Sequence, residues 1–322
     1  MIGKFKYRFG EAKAAFRTGG FADGLNTLVR RFNSDVYGAE RRLYARTRSR
    51  NGVVVLPIQG SLMALRLDDP GLSRVLIRDG IREREHTQLI HEEIHPGMVG
   101  VDLGANLGYY ALMEARIVGP KGKVFAVEPV PHNVAVLQRN VELNHYTNME
   151  VHQMAISDEC GEAEMWITPQ SNFCNLLSET DEALRPEIRQ THAGEQSAHR
   201  IKVPTMTLDR FLEVRGVKSL NFIRMDIEGF EVRVTKGMQK TLTEARGVLK
   251  LFVEVHNAHF TDPMATVGAW LQELLNLGFQ PKALAIAGRP EGIIRIVSAK
   301  DFPALVCQFR ECCPHVLLVK NG

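Results

Sequence analysis

The stretch Val99-Gly100-Val101-Asp102-Leu103-Gly104-Ala105-Asn106-Leu107-Gly108 decides how the rest of the chain is read. Val99–Leu103 is an apolar run of strand length, and Gly104 and Gly108 punctuate a tight turn before a helical pattern over about 108–118. In open α/β sheets a turn of this kind receives a nucleotide-like cofactor, because glycine lets the backbone approach and the helix N-terminus offers N–H groups. The plainer reading makes Gly104 and Gly108 turn and helix-packing glycines, and Asn106 a residue tolerant of left-handed geometry.

A dinucleotide pattern G-x-G-x-x-G would put its first glycine at position 102, where this chain has Asp102. A carboxylate there repels a pyrophosphate and suits a cationic ligand. S-adenosylmethionine, with its sulfonium and α-ammonium groups, meets that requirement. Glu128 closes the next strand, where a carboxylate can accept hydrogen bonds from ribose hydroxyls. That acid supports an adenosine ligand without choosing between cofactor classes.

Outward from this turn, strand-like and helical runs alternate. Val124–Glu128, Met149–Ile156, Leu220–Asp226 and Val248–His256 read as strands, with helices at about 131–144, 229–245 and 264–277. Phe279–Ile286 and His315–Val319 read as two final strands. Ahead of the turn, Val53–Ile58 and Leu62–Leu67 flank Gln59-Gly60-Ser61 as a β-hairpin, and helical patterns at about 71–79 and 83–95 stop at Pro96-Gly97. The expected fold is therefore α/β and Rossmann-like, a seven-stranded, mostly parallel sheet with helices on both faces. An N-terminal helical and hairpin extension, residues 1–82, precedes the main domain at 83–322. Residues 169–199 form a polar stretch without periodicity, of the length that is usually functional or disordered.

Composition narrows the function classes. The 322 residues carry 40 Lys+Arg against 37 Asp+Glu, a net +3 that excludes a strongly basic nucleic-acid coat. Residues 1–50 hold 12 Lys+Arg and 4 Asp+Glu, an excess of 8, so the remainder carries −5. This basic arm, with Phe5, Tyr7, Phe9 and Phe16 interleaved, suits either contact with an anionic membrane surface or a solvated helix lying on the main domain. Five cysteines without a C-x-x-C pair argue against a disulfide framework and a thiolate zinc site. With no signal-peptide pattern and no membrane-spanning apolar run, the expected location is cytoplasmic.

At this point a resemblance becomes specific. VDLGANLGYYALMEA (101–115), VFAVEPVPHNVAVLQRNVELN (124–144), AISDECGEAEMWI (155–167), VPTMTLDRFL (203–212), IRMDIEGFEVRVTKGM (223–238) and LFVEVH (251–256) together resemble the FkbM-type methyltransferases. The resemblance covers about residues 83–256. It implies the class I methyltransferase fold and methyl transfer from S-adenosylmethionine to a hydroxyl of a glycan or polyketide-like metabolite. It assigns Asp102, Gly104, Ala105, Asn106 and Gly108 to the methionine end, Glu128 to the ribose, and Ala155 and Ile156 to the adenine edge. Asp158 either bonds the adenine amino group or only shapes the Ser157–Gly161 turn. The family's usual K-x-D-x-E-G reads Arg224-Met225-Asp226-Ile227-Glu228-Gly229 here. Arginine stays protonated, which excludes a neutral lysine base at 224.

Asp226 and Glu228 are two apart, as are Glu254 and His256, so each pair shares a face if its strand continues. Methyl transfer needs a positioned nucleophile and a proton acceptor. His256 has the best-matched unperturbed pKa, and Asp226 or Glu254 can orient it. Alternatively, Asp226, Glu228, Glu254 and His256 hold a divalent metal that acidifies the acceptor hydroxyl, or Glu254 and His256 are simply a solvated strand end.

Two other classes compete. A non-catalytic S-adenosylmethionine-binding module would keep the fold without the chemistry. His91-Glu92-Glu93-Ile94-His95 matches the zinc-peptidase pattern H-E-x-x-H, with Glu114 as a conceivable third ligand. Pro96-Gly97 ends that helix at the second histidine, which favours ordinary helix C-terminal residues instead. A nucleic-acid acceptor is disfavoured because Asp226-Ile227-Glu228-Gly229 stands where base methylases carry N/D-P-P-Y/F.

Overall fold

The computed structural model describes residues 38–167, 175–176, 199–287, 292–296, 298–310 and 312–322. Residues 38–48 are helical and lead into the predicted hairpin, β1 (Val53–Ile58) and β2 (Ser61–Arg66), whose turn is Gln59-Gly60. Then follow α1 (Leu72–Asp79), α2 (Arg84–Glu93), β3 (Val99–Leu103), α3 (Tyr109–Val118), β4 (Lys123–Val127), α4 (Pro131–Leu143) and β5 (Met149–His152). A second group comprises β6 (Ala155–Ile156), β7 (Gly161–Ile167), β8 (Asn175–Leu176), β9 (His199–Met206) and α5 (Leu208–Val214). The chain finishes with β10 (Phe222–Met225), α6 (Glu231–Val234), α7 (Gln239–Thr243), β11 (Leu249–Glu254), α8 (Ala269–Asn276), β12 (Gln280–Ala285), β13 (Ile293–Arg295), α9 (Phe302–Cys307) and β14 (His315–Lys320).

The main sheet runs β13-β12-β14-β11-β10-β3-β4-β5. β11, β10, β3, β4 and β5 are parallel, and β14 is antiparallel to β11 and β12. The seven expected strands are present and β13 adds an eighth at the edge. β10 and β11 are buried along their whole length, as a parallel sheet covered on both faces requires. β3 has β4 on one side and β10 on the other, so the order reverses there and a crevice opens at the carboxyl ends of these strands.

Two expected elements divide. Met149–Ile156 is not one strand: the Met154 N–H turns back to the His152 carbonyl at 3.1 Å. Ala155 and Ile156 then pair with Thr205 and Met206 in the smaller sheet β6-β9-β7-β8. The helix expected at 229–245 breaks into α6, a 3-10 turn at Thr235–Met238, and α7. Gly237 marks that break, since a Cβ there would lie 2.1 Å from the Ser157 carbonyl oxygen. Of the polar stretch 169–199, only residues 175–176 and 199 are among those described, and residues 1–37 of the basic arm and Cys174 also lie outside them.

The hairpin shares its core with the main domain: Val54, Leu56, Met63 and Leu65 pack in one cluster with Leu76, Leu112 and Leu137. Asn140 on α4 secures it by accepting from the Ala64 N–H at 2.7 Å and donating to the Leu107 carbonyl at 2.9 Å. This ties the first hairpin to the turn after β3. Cys160, Cys307 and Cys313 are free thiols, and among the described residues no helix is long and apolar enough to cross a membrane.

Candidate active site

Gly104 explains how the crevice is built. Its φ is +80°, and a Cβ would sit 2.1 Å from the carbonyl oxygen of Asp226, so two strand ends meet backbone to backbone. The Asp226 N–H donates to the Leu103 carbonyl at 3.1 Å, extending the β3–β10 ladder into the turn. Gly108 begins α3 at φ +95°, where a Cβ would strike Leu137 at 2.4 Å. The amides of this turn are already used: Gly104 and Ala105 donate to the Val127 carbonyl at 3.0 and 3.1 Å, and Asn106 to Glu128 Oε2 at 2.8 Å. The turn therefore shapes the crevice and positions Glu128 more than it offers free donors.

The resulting cleft is lined by Gly104, Asn106, Glu128, Ala155, Ile156, Asp226 and Glu228 among the anticipated residues. Val127, Met154, Met165 and Phe230 add an apolar wall, and Arg82 reaches in from the loop before α2. Glu128 is fixed by three donors, with Val130 N–H at 2.9 Å and Asn133 Nδ2 at 3.3 Å on Oε1 besides Asn106. Burial outweighs these donors and pushes its carboxyl up to about 7. Glu128 follows β4 while Asp226 and Glu228 follow β10, two strand spacings away, about 10 Å. An apolar slot with one acid at one end and two at the other fits an adenosine bearing a cationic tail.

Six anticipated residues stand outside this lining. Ala105 and Gly108 are buried in the turn. Asp158 accepts from Arg233 Nε at 2.9 Å and from Ser157 Oγ at 2.9 Å. Asp102 is fully buried, and its Oδ1 accepts from Arg224 Nη1 at 2.8 Å. Arg224, itself 2 % exposed, also donates through Nη2 to Asp226 Oδ2 at 3.0 Å and lies 3.9 Å over the Tyr110 ring. The cation beside Asp102 is thus the arginine that replaces the family's usual lysine. Burial lifts Asp102 above its ordinary value against the pull of Arg224, while in Asp226 the same burial is outweighed by Arg82 and Arg224 and the carboxyl falls. A planar fork spanning two carboxylates is a task for arginine. Arg224→Lys is expected to lower stability by about 1–3 kcal/mol, since one carboxylate of the pair loses its charged donor. Urea unfolding measures this, and an unchanged midpoint would contradict it.

Glu254 and His256 also lie behind the cleft wall. β10 stops at Met225 and β11 at Glu254, so the shared-face spacing does not run through either pair. Glu228 instead takes a left-handed turn at φ 52°, which directs its carboxylate to His256 Nε2 at 3.5 Å. Nδ1 of His256 donates to Glu231 Oε1 at 2.8 Å. Although burial disfavours the charge, Glu231, Cys313 and Glu228 raise His256 well above its ordinary value, which favours the imidazolium. Glu228 is half-buried among carboxylates and rises to about 7, opposed by His256. His259, ring to ring with His256 at 5.1 Å, is driven to about 4 by burial and by that cation.

Asp226, Glu228 and His256 offer ligand atoms within 4.8 Å of one another. Within this group His256 already bonds Glu231 through Nδ1 and faces Glu228 through Nε2. The H-E-x-x-H segment does not form a helical ligand face: α2 ends at Glu93, Ile94 is extended at φ −92°, ψ 135°, and Glu92 bonds Gln88 and Arg295. Glu114 is fully buried, and burial beside Asp102 raises its carboxyl well above the ordinary range.

Five residues of this network went unforeseen. Arg82 approaches Asp226 at 3.6 Å and Glu254 at 3.8 Å and pairs with Glu83. Tyr110 Oη donates to Glu83 Oε2 at 2.7 Å, and His315 Nε2 lies 3.3 Å from the same oxygen. Glu231 is the fifth. Its signal was faint: an acid just beyond Glu228-Gly229, in a segment read as a plain helix.

Comparison with known proteins agrees with this geometry. The pattern of the Methyltransferase FkbM domain matches residues 102–281. The chain is 29% identical over 143 residues to Methyltransferase 1 of Beauveria bassiana, covering 43% of this chain and 57% of that protein. It is 27% identical over 181 residues to 31-O-demethyl-FK506 methyltransferase FkbM of Streptomyces tacrolimicus, covering 51% and 68%. To 2-O-methyltransferase NoeI of Sinorhizobium fredii it is 31% identical over 179 residues, covering 52% and 70%. The matched stretch therefore spans between 57% and 70% of these relatives' own length. The chain belongs to the FkbM family of S-adenosylmethionine-dependent methyltransferases.

Proposed function

We propose that this protein methylates a hydroxyl of a small-molecule or glycan acceptor, with Glu228 as the proton acceptor. The observation that carries this reading is the position of Glu228: it lines the cleft, is held in a strained left-handed turn, and has its carboxyl near 7 against the His256 ring. Backbone strain of this kind is maintained at sites where geometry matters for function. A base is most effective when its pKa lies near the working pH. Two relatives, the 31-O-demethyl-FK506 enzyme and the 2-O-methyltransferase, are named for oxygen acceptors, which supports a hydroxyl here.

S-adenosylmethionine supplies a methyl group already activated by its sulfonium. Glu128 and Asn106 would hold its ribose, and Ala155, Ile156 and Phe230 would face its adenine. Asp226 would supply negative charge for its cationic end, with Arg82 and Arg224 keeping it ionised. Glu128→Gln is expected to weaken S-adenosylmethionine about 10–100-fold, the worth of one or two hydrogen bonds to a charged group. Titration calorimetry reads this directly, and an unchanged Kd would remove Glu128 from the cofactor grip. Transfer of label from methyl-labelled donor to hydroxyl acceptors tests the activity. Cofactor binding with no transfer to any hydroxyl acceptor would leave a binding module instead.

A further inference from the structure

We infer that Glu231 is the positioning residue of this site: with one carboxylate oxygen it holds the His256 ring against Glu228 and pins the strained turn that carries Glu228. This rests on the reading of Glu228 as the proton acceptor. Glu231 is 2 % exposed, and its Oε1 accepts from His256 Nδ1 at 2.8 Å and from the Gly229 N–H at 3.1 Å. Gly229 has no alternative there, since a Cβ would lie 2.6 Å from His259 Nδ1 at φ +96°. One buried carboxylate therefore fixes both the backbone of the residues carrying the base and the ring opposite it. With Nδ1–H committed to Glu231, Nε2 faces Glu228 at 3.5 Å.

The groups around each partner set the direction of the effect. His256 is faced by Glu231 from α6, Asp226 and Glu228 from the turn after β10, Glu254 at the end of β11, Cys313 from the turn before β14, and His259 from the turn after β11. Glu228 is faced by His256, Asp226, Glu231 and Arg82. Removing the Glu231 charge leaves burial to act on His256 with much less opposition, so the ring becomes neutral at lower pH. Glu228 then loses its strongest favourable charge. It also loses the weaker repulsion of Glu231, but the loss of the imidazolium prevails and the carboxylate becomes harder to ionise.

The decisive experiment is a histidine titration followed by nitrogen NMR on the whole chain, with His256 assigned from a His256→Asn difference spectrum. In the parent, His256 should remain doubly protonated well above the midpoint of ordinary histidines. In Glu231→Gln the amide oxygen still accepts from Gly229, so the fold should hold, and the His256 midpoint should fall by about one pH unit or more. Glu231→Asp keeps the charge and should restore most of the elevation. Where methyl transfer is measured, the acid limb of kcat/KM should move upward in Glu231→Gln, giving about tenfold less activity at pH 7 with the high-pH plateau retained. An ordinary His256 midpoint in the parent, or no movement in Glu231→Gln, would overturn the role of Glu231. Failure of methyl transfer with the expected NMR titration would instead remove the Glu228 reading alone.

Discussion

Glu228→Gln is expected to reduce kcat by about 10²–10⁴-fold while leaving S-adenosylmethionine affinity within a few-fold, the range observed for removal of a positioned general base. The amide keeps the volume and the hydrogen-bonding reach toward His256 but cannot accept the hydroxyl proton. The pH dependence provides a second signature. The carboxyl, raised by burial to about 7, is protonated and inactive below that value. In the parent, kcat/KM should therefore rise about tenfold per pH unit up to about 7 and then level off. In Glu228→Gln this limb should disappear. A steady-state pH series on both proteins is the measurement, and a parent profile flat between pH 5.5 and 8 would refute Glu228 as base.

The second large effect concerns the backbone. Gly104→Ala is expected to destabilise the protein by about 2–5 kcal/mol, combining roughly 1–2 kcal/mol for an L-residue in left-handed geometry with about 1–3 kcal/mol for overpacking. The methyl group would meet the Asp226 carbonyl oxygen at 2.1 Å, a backbone atom with no rotamer by which to withdraw. Either β3 and β10 separate at their carboxyl ends or the turn unwinds, and both dismantle the cleft. Thermal unfolding and cofactor titration should fall together. A variant with parental stability but no cofactor binding would mean that Gly104 serves only ligand clearance.

The strand-turn-helix at 99–118 was legible because apolar runs and glycines are local signals, and local chemistry sets strand length and turn type. The partner of Asp102 was not, since Arg224 lies 122 positions away and only the parallel register of β3 against β10 brings the two side by side. An arginine inside the apolar run Phe222–Met225 was the available hint that a buried anion stood opposite. Spacing by twos placed Asp226 and Glu228 in the cleft, but for the wrong reason: the strand ends at Met225, and the left-handed turn at Glu228 does the aiming. An ordinary pKa matched to neutral pH pointed to His256 as the base. Its two carboxylate neighbours, one from α6, favour its charged form instead. Such pKa inversions depend on tertiary neighbours and leave little trace in local pattern.

Arg82 has one more implication. It lies ahead of residues 102–281, the stretch that defines the family, yet its guanidinium is a counter-ion for Asp226 in the cleft and for Glu83 beside it. The shared stretch is thus electrically incomplete without a residue contributed from upstream. Replacing the first 82 residues of this chain with another sequence would remove a charge along with a wall. A chimera lacking that arginine would retain the fold's outline while its strand-end carboxylates drift toward protonation.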